Sequence, residues 1–79
     1  MQNRISVFRA ERGTSRRELA DAVDVNPQTI GYLERGDYKP SLELALKIAR
    51  YFEVPVEMLF SLNRFEPIAM TLKRAGEDE

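Results

Sequence analysis

Apolar residues recur at helical spacing in five stretches of this chain, each bounded by residues that start or stop helices. The first stretch predicts a helix from Asn3 to about Arg12, with Ile5 and Phe8 on its buried face and Gly13 as its stop. The second opens on Ser15, with Glu18 three residues on. In this capping box each side chain satisfies a backbone donor that the helix leaves orphaned. Leu19, Ala20 and Val23 give that helix one apolar face. After a break at Asp24 and an isolated apolar Val25, Asn26 is a second N-cap. Pro27 stands at the first helical position, where its missing N–H costs nothing. The third helix turns Ile30, Leu33 and Glu34 inward and ends at Gly36. At about 100° per residue, Pro27, Gln28, Gly31, Tyr32 and Arg35 fall on its other side.

Gly36 to Ser41 is a loop by composition, with Pro40 and Ser41 setting up a fourth helix from Leu42 to about Phe52. Leu42, Ala45, Ile48, Ala49 and Phe52 make its core stripe, broadened by Leu44, Leu46 and Tyr51. A fifth helix is expected from near Pro55, bringing Val56, Leu59 and Phe60 onto the core. The pattern then becomes ambiguous. Phe60, Leu62, Ile68, Met70 and Leu72 alternate with smaller or polar residues as in a strand, yet Ile68 and Leu72 are also one helical turn apart behind Pro67. Strand and helix both stay open for residues 61–79. Either way Leu62, Phe65, Ile68, Met70 and Leu72 follow a domain already closed by Phe60, so they are expected to cover a partner surface, the alternative being that they pack back on the same subunit. The last four residues are an acidic end.

Two unlike charges lie on inward stripes. Arg9 is one turn after Ile5, and Glu34 shares the stripe of Ile30. A buried charge persists only when paired, so these two are expected to meet as a structural ion pair between the first and third helices.

Composition narrows the reading. Seventy-nine residues with 43% hydrophobic and 32% charged side chains describe one folded domain, taken as residues 1–60 followed by an extension over 61–79. No apolar run reaches the ~18 residues of a membrane span and no signal segment opens the chain, so a cytoplasmic protein is expected. Cysteine and histidine are both absent, which excludes disulfides and thiolate zinc sites and removes the commonest metal ligand and general base. Neither an enzyme, a metal nor a cofactor is expected. The formal net charge of −1 is unfavourable for nucleic acid, but it is unevenly spread. Residues 1–17 hold five arginines against one acid, whereas from Leu42 onward seven acids face five basic residues.

The segments SRRELA, QTIGYLERG, Tyr38-Lys39-Pro40-Ser41 and LALKIARYFEVP, in this order and spacing, resemble the Cro/phage-repressor class of helix-turn-helix regulators from about Asn3 to Phe60. Two positions depart from the family: Asp24 and Glu53 stand where glycine is usual, and Asp tolerates a left-handed backbone better than Glu does. The resemblance implies an all-α, five-helix domain whose third helix enters the DNA major groove. Gln28 would then read adenine through its amide. Thr29 would meet a phosphate or thymine methyl, Gly31 would permit close approach, Tyr32 would reach base or sugar, and Pro27 would supply an apolar contact. Arg16, Arg17, Arg35 and Lys39 would clamp the backbone. The Arg9–Glu34 pair is also common in that family. The expected function is a sequence-specific double-stranded DNA-binding regulator, a repressor acting as a homodimer on a palindromic operator. The alternative is an antitoxin-like or adaptor domain that keeps the fold and binds protein.

Overall fold

The helices of this chain begin and end where side chains replace missing backbone partners. The computed structural model describes residues 1–62. It contains α1 (Ile5–Arg12), α2 (Arg16–Val23), α3 (Pro27–Arg35), α4 (Leu42–Phe52) and α5 (Val56–Leu59), with two short strands, β1 (Gln2–Asn3) and β2 (Phe60–Ser61). At α2 the Ser15 Oγ accepts the Glu18 N–H at 3.0 Å while Glu18 Oε1 accepts the Ser15 N–H at 3.2 Å, completing the capping box. Asn26 Oδ1 accepts the Gln28 N–H at 2.9 Å ahead of α3, and Ser41 Oγ accepts the Leu44 N–H at 3.1 Å ahead of α4.

The first four helices stop with one device. Gly13, Asp24, Gly36 and Glu53 all take the left-handed conformation, with φ of 64°, 61°, 79° and 58°. The following residue in each case returns its N–H to a carbonyl five positions back: Thr14 to Arg9, Val25 to Ala20, Asp37 to Tyr32 and Val54 to Ala49. Glycine enters this conformation without penalty, whereas a residue with a Cβ is disfavoured there by roughly 1–2 kcal/mol. Glu53 carries that strain, and Asp24 less of it because aspartate enters the left-handed region more readily.

Ile5, Leu19, Ile30, Leu33, Ile48, Phe52 and Leu59 are fully buried, so each of the five helices contributes to one core. Phe8 packs on Phe52 with ring centroids 5.6 Å apart, and Tyr51 meets Phe52 edge-on at 5.1 Å. Arg12 covers this aromatic edge. Its guanidinium stacks 5.9 Å from Phe8 and 5.7 Å from Phe52, and its Nη1 donates to the Phe52 carbonyl at 2.6 Å, tying α1 to the end of α4.

The structure corrects the sequence reading at two places. The first helix starts at Ile5 rather than Asn3, because Gln2 and Asn3 pair antiparallel with Ser61 and Phe60, and the Arg4 N–H bonds to the Leu59 carbonyl at 2.8 Å. Asn3 then serves two elements, accepting the Ile5 N–H on Oδ1 and donating Nδ2 to the Leu33 carbonyl at 2.6 Å. On α4, Leu42 and Leu46 are not core residues: they are 73% and 50% exposed, and Leu44 is buried instead. The buried arc runs from Leu44 through Ile48 and Phe52 to Ala45 and Ala49, and Leu46 lies roughly 130° from its centre at 100° per residue. The all-α, five-helix architecture therefore stands, with an added strand pair that joins the chain's start to the end of α5.

Candidate nucleic-acid interface

Between α2 and α3 lie three residues, Asp24, Val25 and Asn26. The left-handed Asp24 reverses the chain, half-buried Val25 anchors the turn against the core, and Asn26 with Pro27 starts the next helix at once. With Ile30 and Leu33 held in the core, the opposite side of α3 is left open. There Pro27, Gln28, Gly31, Tyr32 and Arg35 line a shallow depression of about 340 Å³ together with Arg16 from the first turn of α2. Six of the residues that the sequence singled out thus share one surface.

The details of that surface are set by two arginines. The Arg35 guanidinium lies 5.0 Å from the Tyr32 ring centroid, and its Nε donates to Asp37 Oδ2 at 3.2 Å. Arg16 approaches from the other side. Gly31 lies beneath both: a Cβ placed on it would sit 3.8 Å from Arg35 Nη1 and 3.9 Å from Arg16 Nη1. Gly31 is accordingly buried by these side chains rather than open to solvent. Gln28 and Tyr32 are exposed. Thr29 is half-buried at the flank of α3 and does not line the depression, nor do Arg17 and Lys39, which are exposed without an ion-pair partner among the described residues.

Behind the face sits Glu34, whose side chain is only 5% exposed. Arg9 Nε donates to its Oε2 at 2.6 Å and Arg9 Nη2 to its Oε1 at 3.2 Å, a two-pronged contact from α1. Arg9 Nη1 continues to the Thr14 carbonyl at 3.1 Å, just before the α2 cap. Arg16 Nε donates to Glu34 Oε1 at 2.9 Å. Burial pushes the Glu34 carboxyl upward, but hydrogen bonds from Arg9 and Arg16, reinforced by their charges, outweigh it and hold the group below its ordinary range. One carboxylate thereby links α1, α2 and α3. Sequence periodicity put Glu34 and Arg9 on inward stripes but gave no sign that Arg16 reaches the same carboxylate, since that depends on how α2 crosses α3.

Among the described residues there is no cluster of acidic, histidine or cysteine side chains able to hold a metal, and no helix long and apolar enough to cross a membrane. Of the residues expected at a subunit contact, Leu62 is 88% exposed; Phe65, Ile68, Met70 and Leu72 lie outside the described residues.

Two short helices joined by a tight turn, the second presenting an amide, an aromatic and a guanidinium group on its free side beside the Arg16 guanidinium of the first, define a helix-turn-helix nucleic-acid-binding module. A helix-turn-helix family profile matches residues 5–59. An uncharacterized HTH-type transcriptional regulator of Archaeoglobus fulgidus is 52% identical over 60 residues, covering 76% of this chain and 86% of its own. The cryptic phage CTXphi transcriptional repressor RstR of Vibrio cholerae is 32% identical over 59 residues, 75% of this chain and 53% of the repressor. Among solved structures, the clp gene regulator ClgR from Corynebacterium glutamicum matches with a TM-score of 0.64 at 32% identity, over 94% of this chain and 76% of that one. The chain belongs to the Cro/C1-type helix-turn-helix family of DNA-binding transcriptional regulators, a class that binds its partner without transforming it.

Proposed function

We propose that this protein is a sequence-specific transcriptional repressor that reads double-stranded DNA with α3 in the major groove and acts as a homodimer on a palindromic operator. Support comes chiefly from one surface, on which exposed Gln28 and Tyr32 share a depression with the guanidinium groups of Arg16 and Arg35. An amide flanked by cations fits DNA, because base edges are read by hydrogen bonds while phosphates fix the register. Gln28 is the base-reading residue, with Tyr32 and the apolar Pro27 beside it, and Gly31, lacking a side chain, lets α3 and the arginines that cover it approach the groove closely. Thr29 contacts backbone or a thymine methyl from the flank. Arg16, Arg17, Arg35 and Lys39 hold phosphates. The relative named as a phage repressor favours repression over activation.

Residues 1–60 are the DNA-binding domain, and residues 61–79 supply the contact between two copies through Leu62, Phe65, Ile68, Met70 and Leu72. A single recognition helix covers only a few base pairs, and a twofold dimer repeats it about 34 Å along the duplex. Sedimentation is expected to give a dimer that becomes a monomer when residues 62–79 are removed; a truncated chain that still dimerises overturns this assignment. For readout, duplexes selected from a random pool provide the preferred site. Gln28→Ala is then expected to weaken binding by about 1–3 kcal/mol on that site and to leave a scrambled duplex nearly unaffected. Equal losses on both duplexes would refute base reading by Gln28.

A further inference from the structure

We propose that Glu34 is a positioning residue for DNA binding: from inside the domain it holds the Arg16 guanidinium over the recognition helix so that its outer edge faces a backbone phosphate. This rests on reading the α2–α3 face as the DNA surface. Arg16 is the first residue of α2 and its side chain is 52% exposed, a setting in which a long side chain ordinarily samples many rotamers. Here its Nε donates to Glu34 Oε1 at 2.9 Å. A guanidinium is planar and its donors form a rigid fork, so fixing Nε also fixes where the two Nη groups point. Nη1 lies over Gly31, 3.9 Å from where a Cβ would stand, and neither Nη group has an acceptor among the described residues.

The acceptor is itself immobile. Glu34 is buried and gripped from behind by two donors of Arg9, which is in turn tied to the Thr14 carbonyl beside the α2 cap. Arg35 makes an instructive contrast. Its Nε is also bound to a carboxylate, but Asp37 is 65% exposed, and exposed pairs hold side chains weakly. Of the two arginines on this face, Arg16 is the one anchored to a buried partner that cannot follow it into solvent. The local charge of Arg9, Arg16 and Glu34 together is +1, so the carboxylate orients the arginine without cancelling the positive surface.

Simple electrostatics and positioning predict opposite signs, which makes the test decisive. Removing a negative charge near the DNA face should tighten binding if Glu34 acts only through its charge. If it positions Arg16, Glu34→Gln should weaken binding. The probe is a fluorescein-labelled duplex of random sequence, titrated with the full-length protein at several salt concentrations and followed by anisotropy. Circular dichroism establishes that each variant is folded. Glu34→Gln is expected to raise Kd about tenfold and to lower the salt slope by about one unit, as Arg16→Ala should. In an Arg16→Ala background, Glu34→Gln should add nothing to the loss of binding. Arg16→Lys keeps the charge but has a single nitrogen, which either sits on Glu34 or faces outward; its affinity should fall between wild type and Arg16→Ala.

Binding by Glu34→Gln that equals or exceeds wild type overturns the positioning role and leaves the DNA reading intact. So does a further loss in the double variant. Should Glu34→Gln fail to fold, Arg16→Lys decides, and wild-type affinity there overturns the proposal. Wild-type protein that binds neither random nor selected duplex overturns the DNA reading itself.

Discussion

The ion network behind the recognition helix makes its strongest prediction for stability. Arg9→Ala leaves the Glu34 carboxylate in a site where its side chain is 5% exposed, with Arg16 as its one remaining charged partner. Glu34→Ala leaves Arg9, 18% exposed, with the Thr14 carbonyl but no counter-charge. Removing one member of a buried pair typically costs 3–5 kcal/mol, chiefly by stranding the other charge. Partial access to water, and Arg16 in the first case, put both variants near the low end, at about 3 kcal/mol. For a domain of this size that corresponds to a fall in Tm of roughly 12–24 °C. Urea unfolding followed by far-ultraviolet circular dichroism at fixed protein concentration measures each variant and the double mutant. Because each single change already breaks the contact, the double mutant should cost clearly less than the sum. A double mutant costing as much as the two singles together would show that Arg9 and Glu34 do not stabilise one another.

The same carboxylate predicts a pH dependence. Its value in the folded state is held below the ordinary 4.5, so its stabilisation is fully present above that pH and is lost as pH falls through the depressed value; wild type should lose more stability on acidification than Glu34→Gln does. At the end of α4, Glu53→Gly relieves a left-handed residue at φ 58° and is expected to stabilise by up to about 1 kcal/mol after the entropy of the unfolded glycine is deducted, read from the urea midpoint. Along α4, Leu44→Ala should cost about 2–5 kcal/mol whereas Leu46→Lys should stay within about 0.5, and equal losses would mean that the buried arc is wrongly placed.

The α2–α3 unit was legible because its signals are local. Ser15 with Glu18, and Asn26 with Pro27, act within one helical turn, and the inward spacing of Leu19, Val23, Ile30 and Leu33 needs no knowledge of the partner. The first strand and its pairing were not legible, although the alternation that starts at Phe60 leaves a strand open there. Two residues have no measurable period, and their partners lie at the opposite end of the domain, so nothing near Gln2 announces Phe60. On α4 the difficulty was excess: Leu42, Leu44 and Leu46 make more than half the helix circumference apolar, and only the placement of the neighbouring helices selects Leu44. The outward face of α3 followed from periodicity, but the covering of Gly31 did not. That covering comes from long side chains whose direction depends on a crossing angle and on a carboxylate in another element.

A net charge of −1 predicts weak attraction to DNA, yet affinity depends on the phosphates neutralised within a Debye length, about 8–10 Å, and not on the whole chain. Two carboxylates on or beside α3 are already engaged, Glu34 by Arg9 and Arg16 and Asp37 by Arg35. Of the thirteen acids in the sequence, seven fall from Leu42 onward, after the segment that forms α2 and α3. If Arg16, Arg17, Arg35 and Lys39 each neutralise one phosphate, the slope of log K against log salt should be about −3.6 for each bound copy, from roughly 0.9 per contact. Anisotropy titrations on a random duplex at several salt concentrations, with bound stoichiometry measured separately, give this number. Arg17→Ala and Lys39→Ala should each reduce it by about one unit and leave unfolding unchanged, because neither side chain has an ion-pair partner among the described residues. A wild-type slope near zero would mean that these cations do not meet phosphates, and the exposed face of α3 would then have to be explained by a protein partner.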